Sequence, residues 1–563
     1  MTLKYLMGRL ALVLLGFFLF CSLELTLRLF WEPSATTTEQ ILLSSIDPFR
    51  RDGEQFVTRD SFRTALRDSQ FSAQKSPDTL RVFCLGGSAT FGYPYVEKFS
   101  WPAALQRALN SFYPERDIEV INLGGTSYGT SRVLGLLRGI VKYDPDLIVI
   151  YSGNNEFVED SYRVQDKRLS KATGFINRLY LARALQSLLP FFQQEARPET
   201  IPVETGNSKQ FFFSPTVDGT IYQPSAVQSQ QVLLRYRENL EAIADLAKQE
   251  DIPLVFSTVA SNLASWPPDA DGEIPEDPSV RAQWQKMLTL AEQSSARGNR
   301  KEALVLYRAA IKLFADNAAA NFAFGTLLFQ EKNYAEALLY LTRARDLDPS
   351  PIRAKSAMNE IVQAVADQHR IPLVDIDERA KAFTPDGIPG DTLFIDYVHP
   401  TPLGNVYIAR AIAEGLYNSI ALTEPSTEYS DRFWASELSR SRISPPLDAN
   451  AAFAWGQIYL RKGMLDKAEA MLRNAIAQGY SHPSVQYYLA DTLSRKGQIQ
   501  EAFDLLAESA KRHPEYREPL PLLARLAVRL SRPDIAIPIY RKVLQNKHPE
   551  ADHFLSLGLQ PAQ

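Results

Sequence analysis

The chain is poor in the residues that build disulfide and metal frameworks, with only two cysteines and six histidines in 563 residues. Cys21 lies in an N-terminal apolar stretch and Cys84 in a distant apolar run, so no disulfide framework is implied. No C-x-x-C occurs and the histidines do not cluster as metal ligands do, so no metal site is expected. A basic surplus is missing too. The 61 Lys and Arg stand against 65 Asp and Glu, the net charge is −4, and no long Lys/Arg run appears, which argues against nucleic acid as a partner. Nor is there a long uninterrupted apolar run: the longest, behind Lys4 and Arg9, extends from Leu10 to Leu23 and is broken by Glu24.

That run is short for a spanning helix and has the length of a signal-peptide core. No A-x-A pattern follows it, and Leu19 and Phe20 are too bulky for a lipoprotein box before Cys21. Leu25, Leu27, Leu29, Phe30 and Trp31 carry the apolar character on toward an interface. An uncleaved signal anchor over 1–35 fits these features, with a cleaved signal or a soluble amphipathic helix as alternatives. The positive-inside rule then places Lys4 and Arg9 in the cytoplasm. The bulk of the chain would be extracytoplasmic, periplasmic in a bacterium, on a single-pass membrane helix.

What the chain has is length, enough for two to four domains, at an ordinary globular composition of 45% hydrophobic and 22% charged residues. It also has repeats. GNRKEALVLYRAA starts at Gly298 and KNYAEALLYLTRA at Lys332. GMLDKAEAMLRNA starts at Gly463, GQIQEAFDLLAES at Gly497 and SRPDIAIPIYRKV at Ser531. Within each block the step is 34 residues. Small residues recur as Ala303, Ala337, Ala468, Ala502 and Ala536, with Gly325, Gly456, Ala490 and Ala524 upstream, and Pro349 and Pro514 close second helices. This period and pattern resemble the tetratricopeptide repeat, two copies over 282–350 and three over 448–550. Such repeats imply protein partners.

Around the first block the pattern is α/β. LRVFCLG (80–86), IEVINLG (118–124), LIVIYSG (147–153), IPLVFSTVA (252–260) and IPLVDI (371–376) read as short, wholly apolar strands. Amphipathic stretches such as WPAALQRALNSF and LLRYRENLEAIADLAKQ separate them. Alternating elements with apolar strands predict a parallel sheet covered on both faces. The domain runs over 79–281 and 351–422, interrupted by the first repeats, with linkers at 36–78 and 423–447. The polar stretch 158–228 is a second insertion without a predicted fold.

The first strand runs into GGSAT, which raises Ser88 as a nucleophile. A reactive serine needs a base, an acid to orient that base, and donors for an oxyanion. His482, His513, His548 and His553 fall in or after the C-terminal repeats, and His369 precedes a strand. That leaves His399, in DTLFIDYVHPTPLGN, with Asp396 three residues earlier, before a helix starting near Thr401 or Pro402. The loops after the second and third strands, NLGGTSYG (122–129) and SGNNEF (152–157), bring glycines and asparagines to the sheet end where α/β folds bind ligands. Taken singly, such glycines and asparagines also serve as plain turn residues.

In this order, Ser, Gly, Asn and Asp-x-x-His resemble the SGNH (GDSL-type) hydrolases, over roughly 80–160 and 230–420 with the repeats excised. Ser88 matches the nucleophile, with Gly87 where the family usually carries Asp. Gly153-Asn154-Asn155-Glu156 stands for the G-x-N-D block and puts Asn155 on the oxyanion position. Asp396 and His399 match the last block. The family's backbone donor falls at Ser127, with Gly124 and Gly125 slightly earlier, so Gly124 and Ser127 are both candidates. The resemblance implies a three-layer parallel-sheet hydrolase domain, interrupted by an inserted repeat pair and followed by an all-α repeat domain. It also implies cofactor-free ester chemistry, with the oxyanion held by the Ser88 N–H, one of the 124–127 N–H groups and Asn155. Anchoring outside the cytoplasm favours O-acyl, notably acetyl, groups of envelope or exported polysaccharide as substrate, by hydrolysis or by transfer with a membrane partner. The alternative is an inactive repeat scaffold for an envelope or secretion complex.

Overall fold

A computed structural model describes residues 45–172, 216–217, 220–417, 422, 424–442, 445 and 447–545, with Ser22 and Thr26. Apart from those two residues, the expected anchor over 1–35 lies outside the described residues, as does much of the stretch 158–228. Among the described residues no helix is long and apolar enough to cross a membrane.

Among the described residues, the first strands form a small antiparallel sheet of β1 (Phe49–Asp52), β2 (Gln55–Thr58) and β3 (Gln70–Ser72). The expected linker over 36–78 is therefore folded from residue 49 onward. Its strands are too short for a period-2 signal, and what holds them is aromatic packing. The Phe49 and Phe71 rings meet edge-on at 4.9 Å, and Phe71 meets Phe83 of the main core at 5.6 Å. Phe49, Leu66 and Phe71 are all buried in that core.

The α/β part follows in chain order. It comprises β4 (Thr79–Gly86), the single turn α1 (Ser88–Phe91), α2 (Trp101–Phe112), β5 (Asp117–Gly124), α3 (Thr130–Ile140), β6 (Leu147–Tyr151) and α4 (Glu156–Ala172). After the two-residue pair β7 (Thr216–Val217) and β8 (Thr220–Ile221) come α5 (Ala226–Gln249) and β9 (Leu254–Ser257). Strands β4, β5, β6, β9 and β10 (Leu373–Val374) form one parallel sheet in the order β10-β9-β6-β4-β5. All eight residues of β4 and all five of β6 are buried, as a sheet covered by crossover helices requires. Arg81 is the charged residue within β4. It is held by Glu119 at 2.7 Å and by the carbonyls of Tyr143 (2.7 Å) and Ser72 (2.8 Å).

The chain lays down β4, moves to β5 on one side and then to β6 on the other. The strand order reverses at β4, and the C-terminal ends of these three strands frame the crevice where such sheets bind ligands.

After β9 the inserted block makes four helices, α6 (Pro278–Ala296), α7 (Arg300–Leu313), α8 (Ala318–Gln330) and α9 (Tyr334–Asp346), with α6 against α7 and α8 against α9. Ala303 and Ala337 are fully buried, as close helix crossing needs. Asp348 ties the two ends of this block together, accepting from the N–H groups of Asp269 (2.7 Å) and Ser350 (3.0 Å). Then follow α10 (Ser356–His369), β10, α11 (Ile376–Phe383), α12 (Pro402–Leu416) and α13 (Thr427–Ser441).

The expected linker at 423–447 thus holds a helix. It is polar on average, but it buries Trp434 in the core and pairs Glu437 with Arg107 at 2.8 Å. A separate compact unit begins at Pro445. It carries α14 (Ala449–Arg461) on α15 (Leu465–Ala477), α16 (Ser484–Arg495) on α17 (Ile499–Arg512), and α18 (Leu520–Arg529) on α19 (Pro533–Gln545).

Because β1–β3 anchor through aromatic burial, Phe71→Ala should cost about 3–5 kcal/mol of stability. Urea denaturation followed by tryptophan fluorescence measures it. A change below about 0.5 kcal/mol would mean that the segment is a linker after all.

Candidate active site

Ser88 is the first residue of α1, directly after β4 runs into Gly86-Gly87. Both glycines are required by close approach. A Cβ on Gly86 would lie 2.1 Å from the Tyr151 carbonyl oxygen, and one on Gly87 2.3 Å from Asn155 Nδ2. At Gly87 the obstacle is the end of a side chain, so a larger residue there would push the Asn155 amide aside. As the first residue of its turn, Ser88 has an N–H with no helical acceptor.

Ser88 Oγ lies 2.7 Å from His399 Nε2, across 311 residues of sequence. On the other side of the ring, Nδ1 is hydrogen-bonded to Asp396 Oδ2, and Asp396 and His399 are both buried. The D-x-x-H loop is folded around its own carboxylate, with Asp396 Oδ1 accepting from the N–H groups of Val398 (2.8 Å) and His399 (2.7 Å). The Ile395 N–H donates to the His399 carbonyl at 2.9 Å and closes the loop. Thr401 then caps α12 through the Gly404 N–H at 3.0 Å. Tyr93 and Tyr397 meet the imidazole edge-on, with ring centres 5.1 and 5.6 Å away. His369 ends α10 on the way into β10, at the other end of the strands.

Residues 124–128, from the last residue of β5 into the loop, have five N–H groups, and four are already used. Gly124 donates to Asn122 Oδ1 (2.9 Å), Gly125 to the Gly86 carbonyl (3.0 Å), Thr126 to the Ala65 carbonyl (2.8 Å) and Tyr128 to the Gly125 carbonyl (3.2 Å). Gly124, one of the two residues expected as the second oxyanion donor, is therefore occupied, because the strand asparagine Asn122 folds back onto it.

Ser127 is left, held at φ 60° in the left-handed region, its N–H without an acceptor among the described residues. Asn155 donates one amide hydrogen to the Tyr128 carbonyl at 3.0 Å, which leaves the second for a ligand. Gly87, Ser88, Ser152, Gly153, Asn155 and Val398 line one small cleft. The Asn154 side chain is engaged otherwise. Its Oδ1 accepts from the Ala354 N–H at 3.0 Å and ties down the chain as it returns from the repeats.

Sequence reading missed the buried charge network behind this loop. Glu156 accepts from the Thr130 N–H (2.9 Å) and hydroxyl (2.8 Å), and Glu159 from the Gly129 N–H (2.9 Å). Arg132 Nε donates to Glu159 at 2.7 Å and its terminal nitrogen to the Ser127 carbonyl at 2.7 Å. Asp160 takes the Tyr222 hydroxyl and Arg235, and Arg163 reaches Ser131 Oγ at 2.9 Å. The available signal was the spacing of 156, 159, 160 and 163, which puts four charges on one helix face. Burial, reinforced by the Glu159 carboxylate, pushes Glu156 up to about 8. Among the described residues no group of His, Cys, Asp and Glu is placed to hold a metal ion.

Family models described as the tetratricopeptide repeat match residues 295–361 and 453–517, so the chain carries these repeats in both helical blocks. No curated protein matches the chain. Among solved structures it is similar to LAE5, an alpha/beta hydrolase enzyme from the metagenome of Lake Arreo, at 12% identity and a TM-score of 0.27, over 60% of this chain and 94% of that one. A GDSL-like lipase from Bacteroides thetaiotaomicron is similar at 13% and 0.27, over 62% and 93%. An acetylxylan esterase from Geobacillus stearothermophilus is similar at 13% and 0.28, over 60% and 94%.

A carboxyl whose folded pKa is raised binds its proton more tightly in the fold than in the unfolded chain. Its contribution is present below the unfolded value near 4.5 and is lost as pH rises to about 8. Glu156→Gln removes this dependence. Urea midpoints at pH 5 and pH 8 should therefore fall less for Glu156→Gln than for the wild type. Parallel declines would contradict the assignment.

Proposed function

We propose that this chain is a serine ester hydrolase or O-acyltransferase of the SGNH type. The reading rests on one observation, the hydrogen-bonded series Ser88 Oγ, His399 and Asp396, at the reversal point of a parallel sheet. His399 Nε2 removes the proton as Ser88 Oγ attacks an ester carbonyl. Asp396 holds the ring with Nδ1–H facing the carboxylate and stabilises the imidazolium.

The carbonyl oxygen becomes an oxyanion that receives the N–H groups of Ser88 and Ser127 and the spare Asn155 amide hydrogen. His399 then gives its proton to the departing alcohol. Water or an acceptor hydroxyl, deprotonated by His399, takes the acyl group from Ser88. The substrate that best suits this chemistry on an anchored, extracytoplasmic chain is an O-acyl group, such as acetyl, on an envelope or exported polysaccharide. The repeats would recruit the protein partners of that process.

Hydrolysis of an aryl acetate tests the reading. Ser88→Ala and His399→Ala should each lower kcat by at least about 10³-fold. Asn155→Ala should lower kcat by about 10²–10³. Rates equal to wild type in the Ser88 and His399 variants would sink the proposal and leave an assembly scaffold as the function.

A further inference from the structure

We propose that Arg132 is a positioning residue for the oxyanion hole, setting the direction of the Ser127 N–H. The inference rests on the reading of Ser88 as a nucleophile and goes beyond it to a residue that touches neither the serine nor the histidine. Three peptide planes matter in the turn after β5. The plane between Gly125 and Thr126 is held by the Thr126 N–H on the Ala65 carbonyl.

The plane between Ser127 and Tyr128 is held on both sides. Its N–H donates to the Gly125 carbonyl at 3.2 Å, and its carbonyl accepts from Arg132 at 2.7 Å. The plane between them carries the Ser127 N–H, for which no acceptor is found among the described residues. Its orientation is inherited through Ser127 φ, which stands at 60°. A non-glycine residue in this region is disfavoured by about 1–2 kcal/mol, so without an external hold the plane would relax and turn its N–H away.

Arg132 supplies that hold and is itself immobilised. Glu159 takes its Nε–H at 2.7 Å, its guanidinium carbon lies 4.4 Å from the centre of the Tyr128 ring, and it is buried. Glu159 also receives the Gly129 N–H, so one carboxylate fixes both the arginine and the start of α3. A guanidinium grips a carbonyl and a carboxylate at once through its planar fork. A lysine, with a single compact charge, cannot reproduce this.

The test compares Arg132→Met, Arg132→Lys and the milder Glu159→Gln in the full chain, with thermal melting to establish that each variant is folded. The readouts are kcat and KM for an aryl acetate and the inhibition constant of phenylboronic acid. In the boronate, Ser88 Oγ bonds to boron, its proton passes to His399, and one boron-bound oxygen occupies the oxyanion position.

Both Arg132 variants should lose about 30- to 100-fold in kcat, with KM changed by less than about threefold. Boronate affinity should fall by the same factor as kcat, and Glu159→Gln should lose about 3- to 10-fold in both. Folded variants that keep kcat, or lose it while holding the boronate as tightly as wild type, would overturn the proposal. Failure of the underlying esterase reading would look different. The wild type would show no activity that Ser88→Ala removes, and the positioning role would fall with it.

Discussion

Two missing side chains, at Gly86 and Gly87, are the constraint on which the rest of the site depends. With a Cβ at either position, the end of β4 could not lie against the Tyr151 carbonyl on β6 or against the Asn155 amide beyond it. Ser88, Asn155 and the β5 turn converge because the backbone is bare there. In the proposed chemistry, reactivity would come from how closely three strand ends are brought together.

A second layer of order lies under the first. The β5 turn is gripped from below by Arg132, Glu156 and Glu159, and the histidine loop is gripped by the carboxylate it wraps around. Arg132 with Glu159, and His399 with Asp396, are polar pairs taken out of water together, an arrangement costly to assemble and strongly resistant to displacement once formed. Such rigidity suits a site whose donors must already point at the developing charge, since reorganisation during the reaction would cost rate.

Much of this was legible in the sequence, and the limits have physical causes. Strands β4, β5 and β6 could be read because the buried stretches of a covered sheet are mostly apolar. Ser88 and His399 could be paired because only one of six histidines fell at the right end of a strand. The repeats announced themselves through a fixed step of 34 residues. What could not be read depends on contacts between distant residues. Strands β1 to β3 are too short to alternate visibly and are held by Phe49 and Phe71 meeting rings elsewhere in the chain. Helix α13 looks like a linker until Trp434 finds its pocket. The choice between Gly124 and Ser127 turns on whether Asn122 folds back onto its own strand, and no spacing rule encodes that. The charges at the start of α4 received no reading of their own, because nothing in the sequence tells that Arg132 and Thr130 will cover them.

If Ser88 acts as proposed, the position of the repeats between β9 and β10 sets the order in which its partners are made. Ribosomes deliver Ser88, Ser127 and Asn155 within the first 155 residues, whereas Asp396 and His399 emerge only after the inserted helices. A nascent or truncated chain ending anywhere in that interval holds a serine with no base to deprotonate it. On the proposed reading, Ser88 would stay without its base until the helical block, the last strand and the loop carrying His399 have all been made.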